Sequence, residues 1–266
     1  MTGGFSSLPT QIAGIDAVAA DSAMTFCRHT HDQFGIGLIL HGAQQSASGR
    51  GPVEAEAGDV ITVNPGEVHD GKPLGQGGRA WRMIYIDPEI VWAAGLDLTE
   101  GRRRQIELAR PVARDIRLAD EVGSLFSSVT AAFSQDVRLI TEERLFSILM
   151  SLTEERLPRT SPDGRLRAAL QRLEEDPARA VSLQELADLA GLSRFQVLRA
   201  FVKQTGLPPH AYQRQCRLHL ARRLIRARTP LTQAALQAGF ADQSHMHRLF
   251  VRSYGMTPGA YAMAAR

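Results

Sequence analysis

Two groups of side chains in this sequence have the types and spacing to do chemistry. The first recurs at matching places in the last third of the chain: Arg194, Gln196, Arg199 and Lys203, and then Gln243, His245, Arg248 and Arg252. An arginine fork can span a guanine edge or grip a phosphate, and glutamine and histidine offer donors and acceptors to base edges. The second group is Arg28-His29-Thr30-His31 with His69 and the pair Trp81-Arg82. Imidazoles that donate or accept hydrogen bonds, beside arginine charge and a stacking indole, suit a pocket for a small polar effector. The other reading of the histidines is that they satisfy strand ends and hold no ligand.

The elements that must position the first group come from an internal repeat. Leu183, Ala187, Ala190 and Gly191 recur 48 residues on as Leu231, Ala235, Ala238 and Gly239. Arg199, Phe201, Val202, Gly206, Pro209, Ala211 and Tyr212 recur 49 residues on as Arg248, Phe250, Val251, Gly255, Pro258, Ala260 and Tyr261. One inserted residue after the glycine accounts for the change of offset, which places a turn there. Each unit therefore reads as a helix, a glycine turn and a second helix. Ser182 with Glu185, and Ser193 with Gln196, carry the capping-box spacing, and Asp242 can cap the last of these helices. Val197, Ala200 and Phe201 form one inward stripe and Met246, Leu249 and Phe250 the other, which turns the polar residues outward. Two helices joined by a short glycine turn, the second polar and basic outside, can lay that second helix in a major groove. A plain helical hairpin is the alternative.

Between the units, Pro208-Pro209 opens a helical pattern from His210 to Arg228, with Tyr212, Cys216, Leu220, Leu224 and Ile225 on one side. Arg214, Arg217, Arg222, Arg223, Arg226 and Arg228 are expected to occupy the rest. A helix of about 19 residues spans about 28 Å, a spacer suited to reading heads on successive groove segments about 34 Å apart. Leu166, Leu170 and Leu173 mark a further packing helix ahead of the first unit.

Charge separates this region from the remainder. Residues 1–160 hold 15 Lys and Arg against 21 Asp and Glu, a net −6, while residues 161–266 hold 16 against 7, a net +9. The basic half attracts a polyanion such as nucleic acid. The length of 266 residues suits two domains, 1–160 and 161–266. The acidic half starts with short strand-like runs, Phe34 to Leu40, Val53 to Ala57, Val60 to Asn64 and Ala80 to Ile86, separated by Gly and Pro. Helical stripes follow, Leu118, Val122, Leu125, Phe126 and Val129, then Leu145, Ile148, Leu149 and Leu152. Those two helices either pair with a second subunit or cover their own barrel. Cys27 and Cys216 form neither a disulfide framework nor a metal spacing. No secretory leader or membrane span is apparent, so a cytoplasmic location and no membrane partner are expected.

The basic half resembles the DNA-binding domain of the AraC/XylS family of transcription regulators over about 100 residues, through Ala238-Gly239-Phe240, Ser244-His245, Arg248-x-Phe250 and Gly255-x-Thr257-Pro258-x-x-Tyr261. That resemblance implies base-reading roles for Arg194, Phe195, Leu198 and Arg199 in the first unit and for Gln243, His245 and Arg248 in the second. Arg199 and Arg248 have a second possible task, holding phosphates or a carboxylate at the core edge. Leu198 stands where the second unit has His247, so the units are expected to contribute unequally to specificity.

Arg28-His29-Thr30-His31 and Asn64-Pro65-Gly66-Glu67-Val68-His69 resemble the two cupin motifs. The expected fold is thus an α+β two-domain chain: an N-terminal cupin-like antiparallel β-barrel followed by helices, then an all-α domain with two helix-turn-helix units joined by a long helix. Metal-binding cupins add a glutamate after the histidine pair; here Gly35 or Ile36 occupies that place, and Asp32 and Glu67 are makeshift substitutes. No metal and no other cofactor is therefore expected. The chain reads as a regulator of transcription, with operator or promoter DNA, a small-molecule effector, RNA polymerase and a second copy in a homodimer as partners. The rivals are a metal-dependent cupin enzyme fused to DNA-binding helices and a nonspecific DNA coat. No nucleophile elbow, phosphate loop or paired-carboxylate motif supports catalysis.

Overall fold

The computed structural model describes residues 4–10, 12–48, 51–98, 106–131, 135–153 and 164–264. The chain divides into two compact units, over Met1–Glu155 and Arg156–Ala262. The domain boundary expected at residue 160 falls outside the described residues.

The first unit runs through β1 (Phe5–Leu8), β2 (Ile15–Ser22), β3 (Phe26–His29), β4 (Phe34–His41), β5 (Ala43–Ser48), β6 (Gly51–Glu56), β7 (Val60–Val63), β8 (His69–Leu74) and β9 (Arg79–Ile86). Helix α1 (Pro88–Leu98), the short β10 (Val112–Ala113), α2 (Ile116–Val129) and α3 (Gln135–Leu152) complete it. The cupin-like barrel takes the form of two antiparallel sheets, ordered β1-β2-β9-β4-β7-β10 and β3-β8-β5-β6, that do not join into one closed ladder. The four strand runs legible in the sequence became β4, β6, β7 and β9.

Pleating decides what each face of the large sheet does. On β4, Phe34 and Ile36 enter the core shared with Leu118, Val122, Leu125 and Phe126 of α2 and Leu145, Ile148 and Leu149 of α3. The alternate positions are Gly35 and Gly37, paired with Tyr85 and Met83 of β9. A Cβ on Gly37 would collide with Met83 Sδ and lie 2.7 Å from the Arg82 carbonyl, so the Met83 side chain occupies the space a side chain would need. Helix α2 starts under the Asp115 carboxylate, which accepts from the backbone N–H groups of Arg117 and Leu118 at 2.9 and 3.3 Å. Of the two uses open to α2 and α3, their apolar stripes are spent on their own sheet.

The second unit is helical: α4 (Gly164–Glu175), α5 (Leu183–Ala190), α6 (Arg194–Thr205), α7 (Pro209–Arg226), α8 (Leu231–Gln237), α9 (Gln243–Tyr254) and α10 (Pro258–Ala264). Leu166, Leu170 and Leu173 of α4 close a core with Leu186 and Ala187 of α5 and Val197 and Phe201 of α6. Helix α7 has 18 residues, about 27 Å at 1.5 Å per residue. No described helix is long and apolar enough to cross a membrane.

Candidate nucleic-acid interface and sensor site

Both helix-turn-helix units are built by the local chemistry that the sequence announced. Ser182 Oγ accepts from Glu185 N–H at 3.0 Å and starts α5. Gly191 ends it at φ 61°, a left-handed conformation that favours glycine. Ser193 and Gln196 form a reciprocal capping box over α6, each side chain bonding the other's backbone N–H. In the second unit Gly239 turns at φ 82°, and Asp242 Oδ1 accepts from His245 N–H at 2.6 Å to start α9. Glycines at φ 75° and 74°, Gly206 and Gly255, close α6 and α9.

Val197 and Phe201, and Met246 and Phe250, point inward and are fully buried. Arg194, Gln196, Arg199 and Lys203 on α6 are exposed, as are Gln243, Arg248 and Arg252 on α9. His245 is only half-buried, its ring edge-on to Phe240 at 5.5 Å, so it packs the turn as well as facing out. Gln243 Oε1 accepts from Thr232 Oγ1 at 2.8 Å. The Phe195 side chain lies outside the described residues. Leu198 lines a small apolar cavity of about 180 Å³ with Leu173, Leu183 and Pro209.

Helix α7 departs from the expected arginine face. Arg222 is buried, its guanidinium 5.9 Å from the Tyr254 ring. Arg217 Nε donates to the Pro177 carbonyl at 2.8 Å and its Nη2 to Ala178 at 3.3 Å. Gln213 adds bonds to the carbonyls of Pro177 and Arg179 at 3.1 and 2.7 Å. Two of the six arginines read as outward are thus structural. Arg217 and Gln213 tie the α4–α5 loop to the helix that joins the reading units, and that loop also abuts the second turn: a Cβ on Gly239 would lie 2.6 Å from Ala178 Cα. Nothing in the spacing of α7 distinguished Arg217 or Arg222 from their neighbours, because their partners are 40 and 32 residues away in sequence.

In the first unit the three histidines converge. His29 and His69 are register partners across β3 and β8. His31 returns to them because its carbonyl accepts from Gly66 N–H at 2.7 Å. Asn64 fixes that turn: its Oδ1 accepts from Leu108 N–H at 2.8 Å, and its Nδ2 donates to Glu67 Oε2 and the Leu108 carbonyl, both at 3.1 Å. Ring centroids lie 4.3 Å apart for His29 and His69, and 5.0 Å for His31 from either. Tyr85 covers His31 at 4.7 Å. Burial pushes the His69 pKa down, against smaller opposing effects of the Glu67 carbonyl bond and of the Glu67 and Asp70 charges.

The remaining predicted sensor residues do not share one pocket. Arg28 is largely exposed, 4.0 Å from Asp70. Trp81 joins Phe5 and Phe26 edge-on at 5.6 and 6.2 Å. Arg82, one residue on, faces the opposite side of β9, its guanidinium 5.1 Å over Phe126 of α2. There it lines an open cleft of about 600 Å³ with Asp120, Ser124, Ser128 and Arg144. The residue that accompanies Trp81 is instead Arg79, fully buried, stacked at 4.7 Å on the indole and donating to Gln44 Oε1 at 2.8 Å. Burial lowers its pKa to about 10, so it stays charged at neutral pH.

A two-sheet unit followed in the chain by a unit with two capped helix-turn-helix pairs is the architecture of a DNA-binding regulator with a separate ligand-binding domain. Residues 12–149 match the AraC-like ligand binding domain and residues 186–264 a helix-turn-helix domain. The chain belongs to the AraC family of transcription regulators. It is 27% identical over 231 residues to the uncharacterized HTH-type transcriptional regulator YbfI of Bacillus subtilis, covering 83% of this chain and 81% of that one. The RCS-specific HTH-type transcriptional activator RclR of Escherichia coli is 34% identical over 103 residues, only 38% of this chain and 36% of that one. A point variant of ToxT from Vibrio cholerae, solved in the apo form, shares the fold with a TM-score of 0.62 at 12% identity, covering 97% of this chain and 100% of that one.

Proposed function

We propose that residues 161–266 read an operator through α6 and α9, and that residues 1–160 set the DNA affinity in response to a small polar effector. The observation that carries this is the equivalent exposed placement of Arg199 and Arg248 on two capped second helices in a region of net charge +9. Arg194, Gln196 and Lys203 complete the first reading surface, for which Phe195 is a further candidate from its sequence position alone, and Gln243, His245 and Arg252 complete the second. Leu198 on its apolar cavity supports a larger share of base discrimination for α9. Rigid attachment of the α4–α5 loop to α7 keeps the two heads at one spacing.

The effector site centres on His29, His31 and His69, with Arg28 and Trp81 as the further effector-binding candidates outside that cluster. Arg82 belongs to the separate cleft under α2, which is large enough for a second small molecule. Control requires only that the effector bind two states of the protein with different affinity. A protein of the same fold, ToxT, has been solved with an unsaturated fatty acid bound, which supports small-molecule binding by a chain of this fold. The names of two relatives, the activators RclR of Escherichia coli and RhaS of Escherichia fergusonii, support activation, hence contact with RNA polymerase at a promoter. The chain acts in the cytoplasm as a regulator and not as an enzyme. A homodimer would pair through a face other than the α2 stripe; Ile116 and Met150 are exposed apolar residues on those helices.

The test is genome-wide mapping of bound sites, followed by affinity measurements at fixed salt. A regulator prefers its own site over unrelated duplex by about a thousandfold or more. Equal affinity for all duplexes would reduce the protein to a nonspecific coat.

A further inference from the structure

The three histidines are arranged as ligands and not only as pocket lining. Each offers a nitrogen within 4.8 Å of the other two. The Nδ1 atoms of His29 and His69 face the carbonyl oxygens of Cys27 and Glu67 at 2.8 and 3.0 Å. A carbonyl only accepts, so each Nδ1 carries the ring proton and each Nε2 carries a lone pair. A hydrogen bond from the outer ring nitrogen to a backbone carbonyl is how proteins fix the tautomer and orientation of a metal-bound imidazole. Glu67, whose Oε2 accepts from Asn64, does not bring a carboxylate oxygen into the group formed by the three histidine nitrogens.

We propose that His29, His31 and His69 bind one divalent first-row transition cation of the zinc type through three imidazole nitrogens, leaving a coordination position open. A nitrogen set selects such ions over magnesium or calcium, which take oxygen. Three histidines with an open fourth position are a sufficient set for zinc, so the missing cupin-type glutamate is no bar. With Zn–N bonds of about 2.0–2.1 Å the nitrogens would lie about 3.3 Å apart, so the rings need to close by about 1.5 Å at most. The ion would join β3, β8 and the loop carrying His31, and the open position could take water or a donor atom of an effector. The site goes beyond the effector reading and is tested apart from it.

The full chain, stripped with a chelator, is dialysed against Zn²⁺ and analysed for metal, with Co²⁺ as the spectroscopic probe. One ion per chain, a visible Co²⁺ band of four-coordinate, nitrogen-rich character, and a melting temperature raised by Zn²⁺ but not Mg²⁺ are expected. His69→Ala and His29→Gln should each weaken binding about 100-fold or more, whereas His41→Ala, at an exposed histidine on β4, should not. Near-UV circular dichroism verifies that the variants fold, and the wild-type titration stands without them. Failure of the wild-type chain to take up one equivalent of Zn²⁺, or unchanged affinity in the folded variants, overturns the site. Organic-effector control of DNA affinity without metal uptake would sink this proposal and leave the effector reading intact. Metal uptake lost in the variants supports the site whether or not DNA affinity responds.

Discussion

Arg199 and Arg248 occupy equivalent exposed positions on α6 and α9, but their neighbours differ. Beside Arg199, Leu198 faces an apolar cavity, while beside Arg248 stands exposed His247. Arg248→Ala is expected to cost about 1–3 kcal/mol on the operator, roughly 5- to 150-fold, and to relax preference at one base pair. Fluorescence anisotropy on operator and single-base variants measures this; equal weakening on every duplex would assign Arg248 to phosphate. In the sensor, Asn64 makes bonds to Glu67 and Leu108 that only an amide can make together. Asn64→Asp removes the donor and sets a carboxylate about 3 Å from Glu67. We expect a loss of about 2–4 kcal/mol, in line with breaking a partly buried hydrogen-bond network, read as a lower melting temperature that is partly recovered in acid.

At the scale of elements, the two glycine turns look alike in sequence and differ in surroundings. Gly191 turns at φ 61° with open space about its Cα, so Gly191→Ala should cost only the left-handed backbone penalty, about 1–2 kcal/mol. Gly239 combines φ 82° with backbone of Ala178 where a Cβ would sit, so Gly239→Ala must also push the α4–α5 loop away. Its cost should exceed that of Gly191→Ala by about 1–3 kcal/mol, the usual range for overpacking. Chemical denaturation of both variants checks the ordering, and equal losses would mean that the loop yields freely. Asp242→Ala removes a side-chain cap and should cost about 1 kcal/mol at the start of α9.

For the whole molecule, opposite charges on the two halves, −6 and +9, make DNA affinity steeply salt-dependent. If both reading heads engage, about eight phosphate contacts give a slope near −7 in log K against log salt. A slope near half that value would mean that one unit binds alone. The double variant Gln213→Ala with Arg217→Ala, which removes the side-chain bonds from α7 to the α4–α5 loop without removing an exposed base-reading candidate, should weaken operator binding more than binding to random duplex. Comparing the two affinities at one salt concentration checks that the loop holds the heads in register.

The sequence by itself determined the DNA-reading half. Helix caps, glycine turns and apolar stripes are local, within four residues of the groups they serve, so Ser193-Gln196, Asp242 and the two inward stripes were legible before any contact was known. It also marked His29, His31 and His69 as chemically significant. Only the tertiary structure decided what depends on distant pairing: the convergence of His29 and His31 with His69, made by the β3–β8 register and the Gly66–His31 bond, the burial of Arg79 and Arg222, and the bonds of Arg217 to the α4–α5 loop. The pleat of β9 likewise sent Trp81 and Arg82 to opposite faces, because alternation along a strand separates adjacent side chains whatever their chemistry.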